Sequence, residues 1–171
     1  MKVVLKLIAD WYSNLMSHLL PADASYEQAA FLFATTNRDL ETCTFNVIGM
    51  AKFCAADFDE QSNDYLELSD HARARVIKQA HDLSASLVEV HSHVGPFIAC
   101  FSTSDLLGLA ETVPYMWWRL CGRPYMAMVV AQSGFDALVW LDNKHEPHVI
   151  DSLIAGERVI QPTNRTLRRE S

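Results

Sequence analysis

Residues 87–105 read LVEVHSHVGPFIACFSTSD, and the fold turns on how this stretch divides. Leu87–Val90 is a short apolar run that predicts a buried strand. It delivers the chain straight into His91-Ser92-His93. Gly95-Pro96 then predicts a loop, and Ser102-Thr103-Ser104-Asp105 has the Ser-x-x-acid spacing of a helix start. Alternation along a strand sends His91 and His93 to one side. Asp105, in the first turn of the next helix, can fold back against them.

Working upstream, Leu5, Ile8, Tyr12, Leu15 and Leu19 recur at helical spacing and predict an amphipathic first helix closed by Pro21. Residues 26–36 (YEQAAFLFATT) and 43–55 (CTFNVIGMAKFCA) are apolar runs separated by Asn37, Arg38 and Asp39, which predicts a hairpin. The acidic segment 57–64 reads as a loop, Tyr65–Leu68 as a short strand, and Ser69 as the N-cap of a helix reaching about Ala80. Downstream, the helix opened by Ser102 should end near Thr112, before Pro114. Strands follow at Tyr125–Ala131, Ala137–Leu141, Val149–Ile154 and Arg158–Ile160, with a turn at Ser133-Gly134. From Pro162 onward no periodicity remains, so 162–171 is expected to be a disordered tail. The order αββ(β)αβαβββ describes a mixed α/β domain over 1–161, with helices flanking a curved, mostly antiparallel sheet.

Bulk properties narrow the function. The chain has 171 residues, half of them hydrophobic, which suits one domain with a substantial core. A net charge of -7 argues against a nucleic-acid surface, since Arg165, Arg168 and Arg169 form the only basic cluster. Cys43, Cys54, Cys100 and Cys121 include no Cys-x-x-Cys pair and lie in apolar stretches, as expected for buried thiols in a reducing cytoplasm. Lys6 and Asp10 interrupt the apolar start, and no run approaches the roughly 18 apolar residues of a membrane span. A soluble, cytoplasmic protein is expected. His145 and His148 flank Pro147 in a solvated turn, and Tyr115, Met116, Trp117 and Trp118 read as core.

The chemistry lies in three side chains. His91, His93 and Asp105 supply two imidazole nitrogens and a carboxylate, leaving a position for water, as catalytic zinc sites do. Ser102 puts a hydroxyl beside that set, where an oxyanion would develop. A hydrolase also needs a carboxylate base that does not ligate the metal. Glu27 opens an apolar run in which burial would raise its pKa, and Glu89 shares the face of both histidines. Both remain candidates on geometry. Cys100, in the apolar patch Phe97–Phe101, reads as a packing thiol rather than a nucleophile.

Glu27, His91-Ser92-His93, Ser102 and Asp105 together resemble the signature of the JAMM metalloproteases of the MPN/JAB superfamily. The order of elements is similar from about residue 5 to residue 155. The resemblance implies an MPN/JAB-like fold, one zinc ion on His91, His93 and Asp105, Glu27 as the water-activating base, and Ser102 as the oxyanion donor. It implies cleavage after the C-terminus of a ubiquitin-like protein, in precursor processing or deconjugation. The run Glu27 to Leu32 is similar to bacterial members that accompany operon-borne conjugation enzymes, anti-phage defence among their roles. The substrate's tail would lie beside the metal as an added strand, walled by 57–64 and by the stretch around Pro114–Pro124. The sequence departs from the pattern twice: Val94 stands where the family has Pro, and eight residues rather than seven precede Ser102. Two other readings use the same residues: a zinc hydrolase of a small-molecule or sulfur-carrier conjugate, and a non-catalytic MPN scaffold.

Overall fold

Lys2–Leu7 sends Val3, Leu5 and Leu7 into one core, with exposed Lys2 and Lys6 and a buried Val4 on the other face. That period of two makes it a strand, β1, where the sequence predicted the start of a helix. The helix, α1 (Ala9–Leu19), begins only after Ile8, which is an exposed N-cap residue. The computed structural model describes residues 1–168. The hairpin is present as β2 (Ala29–Arg38) and β3 (Thr42–Lys52), and Asp39 Oδ1 accepts from the backbone N–H groups of Glu41 and Thr42 at its turn.

The acidic segment is not a plain loop. After a 3-10 turn (Ala55–Asp57), β4 (Phe58–Gln61) pairs antiparallel with β5 (Leu66–Leu68) as a small separate sheet. Ser69 Oγ then accepts from Ala72 N and caps α2 (Asp70–Asp82), as predicted. Strand β6 (Ser86–Ser92) follows, and then α3 (Thr103–Arg119). This helix runs through Pro114 instead of stopping near Thr112. An interior proline costs about 3 kcal/mol, but Leu109, Val113 and Met116 bury one face of the helix on both sides of it, and burying each such side chain recovers roughly 1.5–3 kcal/mol. The sheet is completed by β7 (Tyr125–Ala131), β8 (Gly134–Trp140), β9 (His148–Val149), β10 (Ser152–Ala155) and β11 (Arg158–Ile160).

The nine strands of the main sheet run β11-β10-β1-β3-β2-β6-β7-β8-β9. Pairing is mostly antiparallel, with parallel contacts at β1–β10, β1–β3 and β6–β7. Leu15 and Leu19 of α1 pack against one face, together with Val88, Val90 and Met128. The other face carries Phe31, Phe33 and Leu87 beneath Val76 and Ile77 of α2 and Leu109 and Met116 of α3. The result is a mixed α/β arrangement with helices on both faces of the sheet. No helix among the described residues is long and apolar enough to cross a membrane.

The chain after Pro162 does not fray over 162–168; it forms a short helix, α4 (Arg165–Arg168). Thr166 is buried, and its N–H and hydroxyl both donate to Asp136 Oδ2. Thr163 N donates to Phe135 O. Polar side chains with partners waiting in β8 fix a segment that hydrophobic periodicity could not reveal. The rest of the expected tail, 169–171, lies outside the described residues. Two thiols also differ from expectation. Cys43 and Cys100 are buried, but Cys54 caps the 3-10 turn and Cys121 has a left-handed φ of 56° just past α3, and both are exposed. The aromatic stretch of α3 divides by helical period: Met116 is fully buried, whereas Trp118 is 72 % exposed.

Candidate metal centre

Strand β6 alternates as expected. Val88 and Val90 face the α1 side, while Leu87, Glu89 and His91 face α2 and α3. The sheet registers Ala29 of β2 opposite His91, so extending it by two residues brings Glu27 across from His93. Ser92 points the other way and is fully buried. Its Oγ accepts from Gln28 N, and its N donates to Gln28 O. Glu27 is held further by its own N–H donating to Ser62 O and by Gln61 Nε2 donating to its carbonyl. Sequence reading missed Ser92 and Gln61. Only Ser92 left a signal, a small polar residue sent inward by alternation.

The His91 and His93 Nε2 atoms lie 3.2 Å apart. Asp105 Oδ2 is 3.1 Å from His93 Nε2, and Oδ1 is 3.5 Å from His91 Nε2. Ligands around zinc at about 2.0–2.1 Å stand roughly 3.3 Å from one another, and the spacing of the two imidazole nitrogens, and of each to one Asp105 oxygen, is close to that. The donor set of two imidazoles and one carboxylate suits zinc. These three residues form a group able to hold a metal ion.

The helix cap and the candidate ligand are one construction. Ser102 Oγ accepts from Asp105 N at 3.1 Å, and Ser102 N donates to Asp105 Oδ2 at 2.6 Å. This reciprocal box aims the carboxylate back at the histidines, a supporting contact of the kind that orients metal ligands. It also leaves the Ser102 hydroxyl proton uncommitted on an exposed residue. The longer loop before Ser102 is secured at three points: Ala99 N donates to Ser133 Oγ, Ala99 O accepts from Thr163 Oγ1, and Phe101 N donates to Thr166 Oγ1. Gly95 turns this loop with φ +111°, where a Cβ would meet the Phe97 ring at 2.9 Å.

Glu27 is 5 % exposed, and its Oε1 lies 3.8 Å from His93 Nε2, near that group but outside it. Burial raises its carboxyl above the ordinary value, against the lowering pull of His91 and His93. Burial also pushes Asp105 upward, but hydrogen bonds from both histidines outweigh it and hold the carboxyl well below its usual range. For His91, burial opposes the charged ring, yet the hydrogen bond and charge of Asp105 prevail and raise its pKa. Glu89, the competing base, shares the face but is engaged by the Tyr125 hydroxyl, which donates to its Oε2.

A cleft of about 330 Å³ opens beside His91 and Asp105, with Glu27 and Glu89 in its floor. Its walls are residues 65–68, just past the expected segment 57–64, and the α3 stretch from Ser104 to Met116, which reaches into the expected region around Pro114–Pro124. No model of a known protein family matches the chain, and no curated protein matches it.

Proposed function

We propose that the chain is a zinc-dependent peptidase or isopeptidase of JAMM type, cleaving after the C-terminus of a ubiquitin-like protein. One observation carries the reading: His91, His93 and Asp105 converge within 3.1–3.5 Å, while the buried Glu27 carboxylate stands 3.8 Å from His93 and outside that group. When bound, a zinc ion supplies Lewis acidity that acidifies water and polarises a carbonyl. Hydrolysis adds hydroxyl to the carbonyl carbon and a proton to the leaving nitrogen. Glu27 is the group placed to take the proton from water and return it to that nitrogen, and its raised pKa suits both halves of the transfer. The free Ser102 O–H donates to the oxygen that gains charge, while its Oγ keeps Asp105 aligned. The cleft between β5 and α3 orients an extended chain terminus beside these groups.

The test is cleavage of a ubiquitin-like protein fused through its C-terminus to a reporter. Wild type should release the reporter, and Glu27→Gln should be slower by about 10²–10⁴-fold, the usual contribution of a general base. Equal persistence of the fusion with both proteins would rule the substrate class out.

A further inference from the structure

We infer that the cleft beside the metal centre is a recognition pocket for a basic side chain, Lys or Arg, close to the bond that is cut, with Gly108 as its open floor and Glu67 and Glu111 taking up the charge. Two of the carboxylates lining the cleft, Glu27 and Asp105, stand at the metal centre. The other three, Glu67, Glu89 and Glu111, outnumber the one guanidinium, Arg73, which already lies 3.6 Å from Asp70 and donates to Leu68 O. Glu67 and Glu111 are exposed, and neither has a Lys or Arg partner among the described residues. A single exposed ion pair contributes little. A cleft lined by an excess of one sign, however, focuses its field and concentrates the opposite charge. Between the carboxylates the lining is apolar, with Phe31, Leu66, Leu109 and Met116. Apolar walls for an aliphatic stem, with carboxylates for a cationic head, match a lysine or arginine side chain.

Glu27 and Gly108 both point to an occupant. The Glu27 side chain is only 7 % exposed and lines the cleft, yet its carboxylate accepts no hydrogen bond from the described residues. Gly108 lies inside α3, where glycine is unfavourable relative to alanine, and a Cβ there would meet nothing within 4 Å. Packing within the chain does not call for a glycine at this position. Its missing side chain instead keeps the helix backbone open to the cleft. Gly108 stands midway between Asp105 and Glu111 in the chain, about 4.5 Å from each along the helix axis. A substrate residue seated on Gly108 therefore starts one turn from the metal centre and reaches Glu111 one turn further on, with Glu67 on the β5 wall. The cleft, at about 330 Å³, is at the small end of ligand sites, about 300–1,000 Å³, and suits one long side chain with its own backbone.

The pocket rests on the proposed hydrolase for its meaning but not for its test. Calorimetry on the intact protein uses acetyl-Arg-Gly-Gly-amide and acetyl-Gly-Gly-Arg-amide. Each is compared with the same peptide carrying citrulline, which has the shape of arginine without its charge, or glutamate in that place. At least one arginine peptide should bind about tenfold more tightly than its citrulline counterpart, and which one does so gives the side of the cut bond on which the basic residue lies. Glu67→Gln combined with Glu111→Gln should erase that preference with unfolding temperature little changed. Gly108→Leu should weaken binding of the arginine peptide at least about tenfold without lowering the unfolding temperature, because its side chain enters open space. Equal binding of arginine and citrulline peptides, tighter binding of a glutamate peptide, or no binding of any probe at millimolar concentration overturns the inference. So does a preference that survives in the double variant, or a Gly108→Leu protein that binds as wild type does. Preference without cleavage of any fusion would overturn the protease reading alone; cleavage without preference would overturn the pocket alone.

Discussion

At the scale of single residues, the Ser102 hydroxyl joins an observed cap to the oxyanion role proposed for it. Its Oγ caps α3 through Asp105 N while its proton stays free. Ser102→Ala should therefore lower stability by about 1 kcal/mol, as loss of an N-cap does, and lower kcat by about 10²–10³-fold, as loss of an oxyanion donor does. Ser102→Gly should cost only a few tenths of a kcal/mol in stability while losing as much activity, so chemical denaturation and steady-state kinetics separate the two roles. A variant whose kcat tracks its stability would leave Ser102 only its cap. Asp57 offers a second residue-scale test. The Cys54 N–H and the Arg75 guanidinium lower its pKa. A carboxyl whose folded pKa lies below its unfolded value of about 3.9 adds stability above that pH and loses it as pH falls through the folded value. The stability gap between wild type and Asp57→Asn should be full at neutral pH and close on acidification below about pH 4. A gap that widens there would contradict the assignment.

At the scale of elements, the least legible part of the chain supports the site. The His-x-His strand, the Ser69 and Ser102 caps and the β2–β3 hairpin could be read directly, because each is set by a local signal: alternation, a capping spacing, a turn between apolar runs. Lys2–Leu7 was misread because Leu5 and Ile8 also fit a helical spacing, and only its place between β3 and β10 shows which period governs. The end of α3 was misread because packing outweighs one proline. Residues 162–168 carry no period at all; Thr166 is fixed by Asp136, 30 positions earlier, a partner no local window contains. Thr166→Val should leave Phe101 N and one contact of Asp136 unsatisfied, costing about 1–3 kcal/mol in denaturant unfolding. Activity should fall with it, since Phe101 precedes Ser102. Thr166→Ser should recover both; failure to do so would mean the methyl, not the hydroxyl, holds the segment.

At the scale of the whole molecule, the sheet separates two cores and leaves the metal candidates at the end of β6, where Glu27, the histidines and α3 converge. How those residues come together was legible; the walls of the cleft were legible only in part, because residues 65–68 line it where the acidic segment before them was expected to. A site formed only in the folded chain stabilises that state when it is filled, by about 2.7 kcal/mol at a hundredfold excess over Kd. Zinc should therefore raise the unfolding temperature by several degrees, and chelation should lower it. The most direct measurement is metal content per chain after zinc reconstitution and removal of free ion. One zinc per chain is expected for wild type and for Glu27→Gln, and essentially none for His93→Ala. A wild-type protein that is folded but holds no zinc, or a His93→Ala protein that keeps it, would contradict the account.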